Sequence, residues 1–339
     1  MVGPGRQQVS TLQQAWLRRG PLAWLLWPVS LVYGGLSALH RRSYTSGRRP
    51  VEGVPVPVIV VGNVIAGGAG KTPVVLAVLK HLRERGLRAG VVSRGYGRSG
   101  DECREVHPQD DPSVAGDEPL LLRRNGGLPV FVARERAQAA RALLTAYPRT
   151  QVIVSDDGLQ HLALARDLEI CVFDRRGIGN GWLLPAGPLR EPWPRRVDLV
   201  LRDADTPGIE GHVLQRTLAP QALRGDGAHR PLSDLRGGPV IALAGIATPE
   251  AFFAMLRDAG LELEATYALP DHHEFSHLPG AIPKTATLVC TEKDAIKLWR
   301  LRPGAWAVPL RVDIPASFWA DFDRLLDARL SSPHGSPPS

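Results

Sequence analysis

The sequence predicts an α/β fold: a parallel sheet with helices on both faces, of the P-loop NTPase type, joined to a smaller second α/β domain and preceded by a membrane-associating helix. Three observations predict it. Short apolar, β-branched runs alternate with amphipathic stretches along most of the 339 residues. One such run, Val58 to Val61, empties into the glycine-rich loop G-N-V-I-A-G-G-A-G-K-T-P, which ends in Lys71-Thr72-Pro73. From Gly20 to Leu39 the chain carries no formal charge and contains Trp24 and Trp27, with Arg18-Arg19 before it and Arg41-Arg42 after it. Alternating strands and helices give parallel sheets whose ligands sit at the carboxyl ends of the strands.

Composition bounds the class. The chain is 44% hydrophobic and 22% charged, which suits a folded body of about two domains rather than disorder. A net charge of +7 favours anionic partners such as nucleotide phosphates or acidic lipid. The arginines are scattered, and no basic module interleaved with aromatics marks a nucleic-acid binder. Cys103, Cys171 and Cys290 are far apart and odd in number, which speaks against a disulfide framework or a zinc site.

Taken in order, residues 1–50 form the N-terminal apolar helix. An interfacial anchor is favoured for it over a true span or a helix buried on the protein's own core. Pro28, Gly34 and Gly35 weaken a span, while Trp16, Trp24, Trp27 and Tyr33 suit the membrane interface.

The core, residues 51–205, opens on the buried strand Val58 to Val61 and a helix running to about Arg85. Between them Gly67, Gly68, Ala69 and Gly70 form a loop whose backbone N–H groups cradle phosphate. Lys71 would reach the β- and γ-phosphates of a nucleotide and the Thr72 hydroxyl would ligate Mg²⁺. The strict P-loop pattern requires glycine where Ile65 stands, but the order of strand, loop, Gly-Lys-Thr and helix is intact.

A strand over 88–93 leads to R-G-Y-G-R, in which Arg94 and Arg98 could hold a phosphate or simply lie in a solvated loop. Gly116-Asp117-Glu118-Pro119 then starts a helix, where acidic residues also serve as ordinary N-terminal caps. A strand over 129–133 precedes a helix that begins with Arg134, Glu135 and Arg136.

The apolar strand over 151–155 ends in Asp156-Asp157-Gly158-Leu159-Gln160-His161. A carboxylate just past a strand is the usual metal-holding half of a P-loop site, so Asp157 is expected to bind Mg²⁺ with Thr72, with Glu118 a further candidate. Asp156, Gln160 and His161 would shape the same strand end. A strand over 168–173 then precedes a Gly- and Pro-rich run containing Arg190-Glu191. Residues 206–238 look like a junction with a short strand around 212–218, 239–330 like the second α/β domain, and 331–339 like a disordered tail.

Together G-N-V-I-A-G-G-A-G-K-T-P, S-R-G-Y-G-R, G-D-E-P, D-D-G-L-Q-H, L-P-A-G-P-L-R-E-P, P-D-H-H and T-E-K-D-A-I-K resemble one family, the tetraacyldisaccharide 4′-kinases, over about residues 12–330. The resemblance implies transfer of the γ-phosphate of ATP, with Mg²⁺, to the 4′-hydroxyl of a lipid-linked glucosamine disaccharide 1-phosphate. That reaction gives lipid IV(A), in lipid A biosynthesis on the cytoplasmic face of the bacterial inner membrane. It further implies a catalytic Asp117 in G-D-E-P partnered by His272 in P-D-H-H, beside Lys71. The alternative from another class is a P-loop ATPase or GTPase switch acting at the membrane on a protein partner. The GTP-specifying N-K-x-D is missing, since T-E-K-D places Lys293 directly before Asp294.

Overall fold

The computed structural model describes residues 15–280 and 282–331. The expected tail lies, but for Ser331, outside the described residues, as does the start of the N-terminal segment, 1–14.

Helix α1 (Pro21–Thr45) precedes strand β1 (Val58–Gly62), helix α2 (Lys71–Glu84) and strand β2 (Ala89–Ser93). Strand β3 (Arg104–Glu105), helices α3 (Pro112–Ala115) and α4 (Asp117–Gly126), and strand β4 (Val130–Val132) follow. Helix α5 (Arg136–Ala146) leads to strands β5 (Val152–Asp156), β6 (Leu168–Phe173), β7 (Leu199–Asp203) and β8 (His212–Leu218). The chain then crosses into strands β9 (Gln221–Arg224), β10 (His229–Pro231) and β11 (Val240–Ala244), helix α6 (Pro249–Asp258) and strands β12 (Leu263–Ala268) and β13 (Thr287–Thr291). Helix α7 (Glu292–Leu298), strands β14 (Trp306–Val308) and β15 (Leu310–Asp313) and helix α8 (Ala316–Leu330) complete it.

Two sheets result. The first has nine strands in the order β15-β8-β7-β6-β1-β5-β2-β4-β3, and the second six in the order β10-β9-β14-β13-β11-β12. Strand β1 sits between β5 and β6, parallel to both, with Val61 level with Asp156 and Gly62 level with Cys171. This register brings the loop after β1 and the acidic pair after β5 to the same sheet edge. All five residues of β1 are buried, and they alternate between two cores. Ile59 and Val61 pack with Val74, Val75 and Val78 of α2 and with Phe318 and Phe322 of α8. Val58 and Val60 pack with Ala137, Ala140 and Leu143 of α5. Removing a fully buried ring such as Phe318 or Phe322 costs about 3–5 kcal/mol.

Sheet membership departs from the expected division in two places. Residues 206–238 are more than a junction with one strand: the expected strand is β8 of the large sheet, while β9 and β10 belong to the small one. The chain also returns before its end, so β15 and α8 cover the first sheet rather than the second. The physical cause is an antiparallel ribbon joining the two bodies. Strand β15 pairs with β8, with Leu310 opposite Leu218, and β14 pairs with β9. Between the pairs, Ala219 donates its N–H to the Pro309 carbonyl at 2.8 Å.

Helix α1 contains Pro28 and starts with Pro21, where a missing N–H costs nothing. It is long and apolar enough to cross a membrane by length and composition, yet it docks on the body along one narrow face. Ser30 Oγ donates to the Leu183 carbonyl and accepts from Ala186 N–H, both at 2.9 Å, and Tyr33 OH donates to the Arg190 carbonyl at 2.8 Å. Trp24 meets Trp182 edge-on, with centroids 4.8 Å apart. Leu25, Leu31, Val32, Leu36 and Leu39 remain exposed.

Candidate active site

The phosphate side is built on the carboxyl end of β1. Gly70 precedes α2 with φ 65° and ψ 40°, a left-handed conformation, and a Cβ there would overlap the guanidinium of Arg216. Only glycine meets both demands. Helix α2 then starts at Lys71, which is 8% exposed. Its ammonium lies 3.4 Å from Asp157 Oδ1 and donates to Asn63 Oδ1 at 3.4 Å. Asn63 in turn donates to the Gly67 carbonyl at 3.4 Å, so the lysine is tied across its own loop.

Asp156 and Asp157 diverge because the strand ends between them. Asp157 adopts φ 48° and is reached by Lys71 and by Arg190 Nη1, at 3.2 Å to Oδ2. Burial opposes its ionisation, but Lys71, Arg190 and Arg136 hold its carboxyl down at about 2. Asp156 is 1% exposed and neither of its oxygens has a hydrogen-bond partner. Burial, reinforced by Glu118 and Asp157, pushes its carboxyl up to about 7. Arg136, also buried, spends Nη2 on the carbonyls of Asp156 and Asp157 at 3.1 and 2.8 Å, and burial lowers its guanidinium to about 10. Burial and the neighbouring Arg136, Arg94 and Arg166 keep His161 neutral, at about 3.

From Asp157 the contacts run outward to α1. Arg190 Nη1 also donates to Gln160 Oε1 at 3.3 Å, and Gln160 Nε2 donates to Glu191 Oε1 at 2.7 Å and to the Asn63 carbonyl at 2.9 Å. Glu191 is 1% exposed and ion-paired with Arg41 of α1 and, at 3.3 Å, with Arg195. A cavity of about 520 Å³ lies here, between Tyr33, Ser37 and Arg41 of α1 and Gln160, Arg190 and Glu191.

The second charged cluster forms where the two bodies meet. Asp117, 5% exposed, heads α4 directly after Gly116, whose φ is 88° and whose absent Cβ would lie 3.1 Å from the backbone of Gly95. Its Oδ2 accepts from His272 Nδ1 at 3.1 Å and pairs with Lys297 Nζ at 3.0 Å. Burial works against the charge, yet the bonds from His272 and Lys297 keep this carboxyl below its usual range. Lys293 Nζ reaches His272 Nε2 at 3.1 Å, Asp271 Oδ1 at 3.0 Å and Glu118 Oε1 at 3.4 Å. An ammonium can only donate, so Nε2 is the acceptor and Nδ1 carries the proton that faces Asp117. His272 has φ 61°. Among the described residues it, Asp157 and Phe275 are the non-glycine positions with positive φ, so two of the three fall among the expected site residues.

A cleft of about 550 Å³ separates the sheets, lined by Lys71, Thr72 and Glu118 of the first body and by Asp271 and Lys293 of the second. The structure thus gathers Gly67 to Thr72, Asp156, Asp157, Gln160, Arg136, Arg190 and Glu191 around one strand end, and Asp117, Glu118 and His272 opposite. Arg98 and Arg134 are not brought in. Arg98 bonds the Glu102 carbonyl at 2.7 Å and Arg134 faces Asp101 at 3.6 Å, while Arg94 is exposed. Sequence reasoning missed Asn63, Arg176, Arg216, Lys293 and Lys297. For the two lysines a signal existed: i, i+4 spacing in T-E-K-D-A-I-K puts both on one face of α7.

A glycine loop between a central parallel strand and a helix, a buried lysine across it and carboxylates at the adjacent strand end define a P-loop phosphotransferase. The tetraacyldisaccharide-1-P 4′-kinase family profile matches residues 22–329. The tetraacyldisaccharide 4′-kinase of Acidovorax sp. (strain JS42) is 58% identical over 336 residues, covering 98% of each chain. That of Delftia acidovorans (strain DSM 14801 / SPH-1) is 54% identical, covering 94% of this chain and 95% of its own. The crystal structure of LpxK from Aquifex aeolicus in complex with ATP superposes with a TM-score of 0.77 at 27% identity, covering 90% of this chain and 99% of that one. The chain belongs to the tetraacyldisaccharide 4′-kinase family: it is an ATP-dependent kinase of lipid A biosynthesis, acting on a hydroxyl group.

Proposed function

We propose that this protein transfers the γ-phosphate of ATP to the 4′-hydroxyl of a tetraacyldisaccharide 1-phosphate, giving lipid IV(A), at the cytoplasmic face of the bacterial inner membrane. One observation carries the reading. The carboxylate of Asp157 is held by Lys71 from the phosphate loop and by Arg190 from the cavity beneath α1, so nucleotide and membrane sides meet at one residue. The exposed apolar face of α1 would lie in the membrane interface and keep acyl chains there, while the cavity takes the polar sugar head. Docking through Ser30, Tyr33 and Arg41 favours a helix lying on the bilayer over one crossing it.

In the cleft, the loop amides and Lys71 bind the phosphates, and Lys71 offsets charge that spreads over the migrating phosphoryl group. Asp117 accepts the proton of the attacking hydroxyl. His272 and Lys297 both bind Oδ2, and among the described residues Oδ1 accepts no hydrogen bond, which leaves it for the substrate. Its lowered pKa suits a transition state in which bonding to the nucleophile is slight and the proton moves late: the carboxylate orients the hydroxyl first and takes the proton afterwards.

The residues also fit a divalent cation. Asp156 offers two buried oxygens without partners, beside Glu118 and Asp157. Mg²⁺ takes one or two carboxylates and completes its shell with water and phosphate oxygens, a demand these side chains can meet. Thr72, Asp156 and Glu118 would hold it, and when bound it neutralises charge on the β- and γ-phosphate oxygens. Asp157, the ligand expected from sequence, is here ion-paired with Lys71 and Arg190, which favours the unpartnered Asp156 for the metal.

The test is to incubate the purified protein with Mg²⁺, ATP and tetraacyldisaccharide 1-phosphate and to weigh the lipid. One added phosphate is expected. Release of γ-phosphate to water with no change in lipid mass would overturn the reading in favour of a switch ATPase.

A further inference from the structure

A loop with Gly67, Gly68 and Gly70 has a large conformational freedom to lose when it wraps a phosphate. Two arginines from separate strands of the large sheet act on it. Arg176, just after β6, donates from Nη2 to the Gly68 carbonyl at 2.8 Å and from Nη1 to the Ala66 carbonyl at 3.4 Å. Arg216, on β8, donates from Nη2 to the Ala69 carbonyl at 3.0 Å and from Nη1 to the Gly70 carbonyl at 3.2 Å. Each has its own counter-ion. Asp174 takes Arg176 Nε at 2.9 Å and Nη2 at 2.7 Å, and Asp203 takes Arg216 Nε at 2.8 Å. The paired carboxylates fix the guanidiniums and leave other N–H groups for the loop.

In a trans peptide the C=O and the following N–H point in opposite directions. Fixing the carbonyls of residues 66, 68, 69 and 70 therefore fixes the N–H groups of Gly67, Ala69, Gly70 and Lys71. Among the described residues none of these four donates to a protein backbone acceptor. They are the donors a phosphate would use.

We propose that Arg176 and Arg216 are positioning residues for ATP, holding the loop's carbonyls from behind so that its N–H groups are arrayed before the nucleotide arrives. Lys71 and Thr72 bind; the two arginines set the shape that binds. Their contribution belongs to nucleotide affinity, because bound ATP orders the loop by itself and preorganisation acts on the cost of ordering. Arg216 adds a second consequence. It lies on the strand that continues into the ribbon between the two bodies, so the loop is tied to the part of the scaffold that joins them.

Arg176→Gln and Arg216→Gln test this through three readouts: the Kd for ATP by calorimetry, kcat at saturating ATP, and hydrogen exchange of the amides at residues 67–71. Each variant should raise the Kd about ten-fold, the worth of one charge-assisted hydrogen bond. The kcat should stay within about three-fold, since the chemistry is unchanged once ATP is in place. Exchange in the nucleotide-free variants should be faster than in the parent and return to the parent's rate with saturating ATP. Arg176→Lys keeps the charge and lies in a loop, so it serves if Arg216→Gln does not fold. It should show the same loss, because an ammonium cannot span two carbonyls and a carboxylate in the plane of a guanidinium. A fall in kcat at unchanged Kd would make the arginines transition-state groups and overturn the proposal. Unchanged exchange at residues 67–71 would overturn it equally, by reducing them to packing.

Discussion

The phosphate side and the base side of this kinase are assembled in opposite ways. The groups around Lys71 and its loop hang from one sheet: the loop after β1, the acidic pair after β5, Arg176 just after β6 and Arg216 on β8. The base side is a meeting of two bodies. Asp117 heads a helix of the first, His272 follows β12 of the second, and Lys293 and Lys297 project from α7 of the second. A site on one rigid sheet is preformed, whereas a site shared between sheets depends on how they close. Damage on the two sides should therefore differ in kind as well as in size.

The largest effect is expected at Lys71 and Thr72. Alanine at either position should abolish transfer while leaving the fold intact, because Lys71 counters the charge that grows in the transition state and Thr72 would hold the metal. A near-parental kcat in either variant, with Mg²⁺ present, would remove the phosphate side from the chemistry.

Next comes the base side, which should lose kcat and keep ATP affinity. Asp117→Ala should lower kcat by about two to four powers of ten, the usual worth of a general base. His272→Ala should cost less. The double variant should be little worse than Asp117→Ala, since the pair is joined by a 3.1 Å bond and acts as one unit. Losses that multiplied would mean two groups working separately, and the dyad would have to be given up.

How much of this could be read beforehand follows the same division. The phosphate loop, its strand and its helix are local in sequence, so period and glycine spacing revealed them. The choice between Asp156 and Asp157 was not legible. They are adjacent, and only tertiary partners, Lys71 and Arg190, decide which carboxylate is occupied and which is left bare. Lys293 and Lys297 sat in a quoted motif but had no visible task, because their partners are remote in sequence: Asp271 and His272 on another loop of the same body, Asp117 and Glu118 on the first body. Within residues 206–238 the strand over 212–218 was legible, but β9 and β10 were not: they are short and lie towards a sheet edge, where one face meets water and the apolar signal thins. Residues 239–330 looked like one domain because nothing local in α8 says which sheet a helix covers.

A smaller effect separates both charged regions from the membrane. Replacing Leu25, Val32 and Leu39 together by Glu places charge on the exposed apolar face of α1 without touching Ser30, Tyr33, Arg41 or the lining of the cavity. The variant should leave membranes and lose about ten-fold in kcat/KM for lipid substrate, while its Kd for ATP stays unchanged. Continued cofractionation with membranes in high salt would move the anchor elsewhere on the protein.

The smallest effect is thermodynamic, and it asks whether the phosphate side is strained when empty. Asp156 is buried without partners, and its carboxyl is raised to about 7 from an ordinary value near 3.8. Between those values the folded protein holds a proton that the unfolded chain has released, so folding stability falls as pH rises through this window. Above about pH 7 the folded state must carry a buried, unpaired charge and the whole penalty applies. Asp156→Asn removes the charge at nearly constant shape. Without nucleotide its Tm at pH 8 should exceed the parent's by roughly 2–5 °C, and at pH 4 the two should converge. Kinase activity should be lost over the same range, since an amide replaces the anionic donor that would hold the metal. Asp157→Asn gives the opposite sign. Its carboxyl is held at about 2 by Lys71 and Arg190, so its charge stabilises the fold at neutral pH, and the variant should melt below the parent at pH 8. If both variants melted lower, Asp156 would be a satisfied structural group, and the assignment of the bare carboxylate to the metal would fail with it.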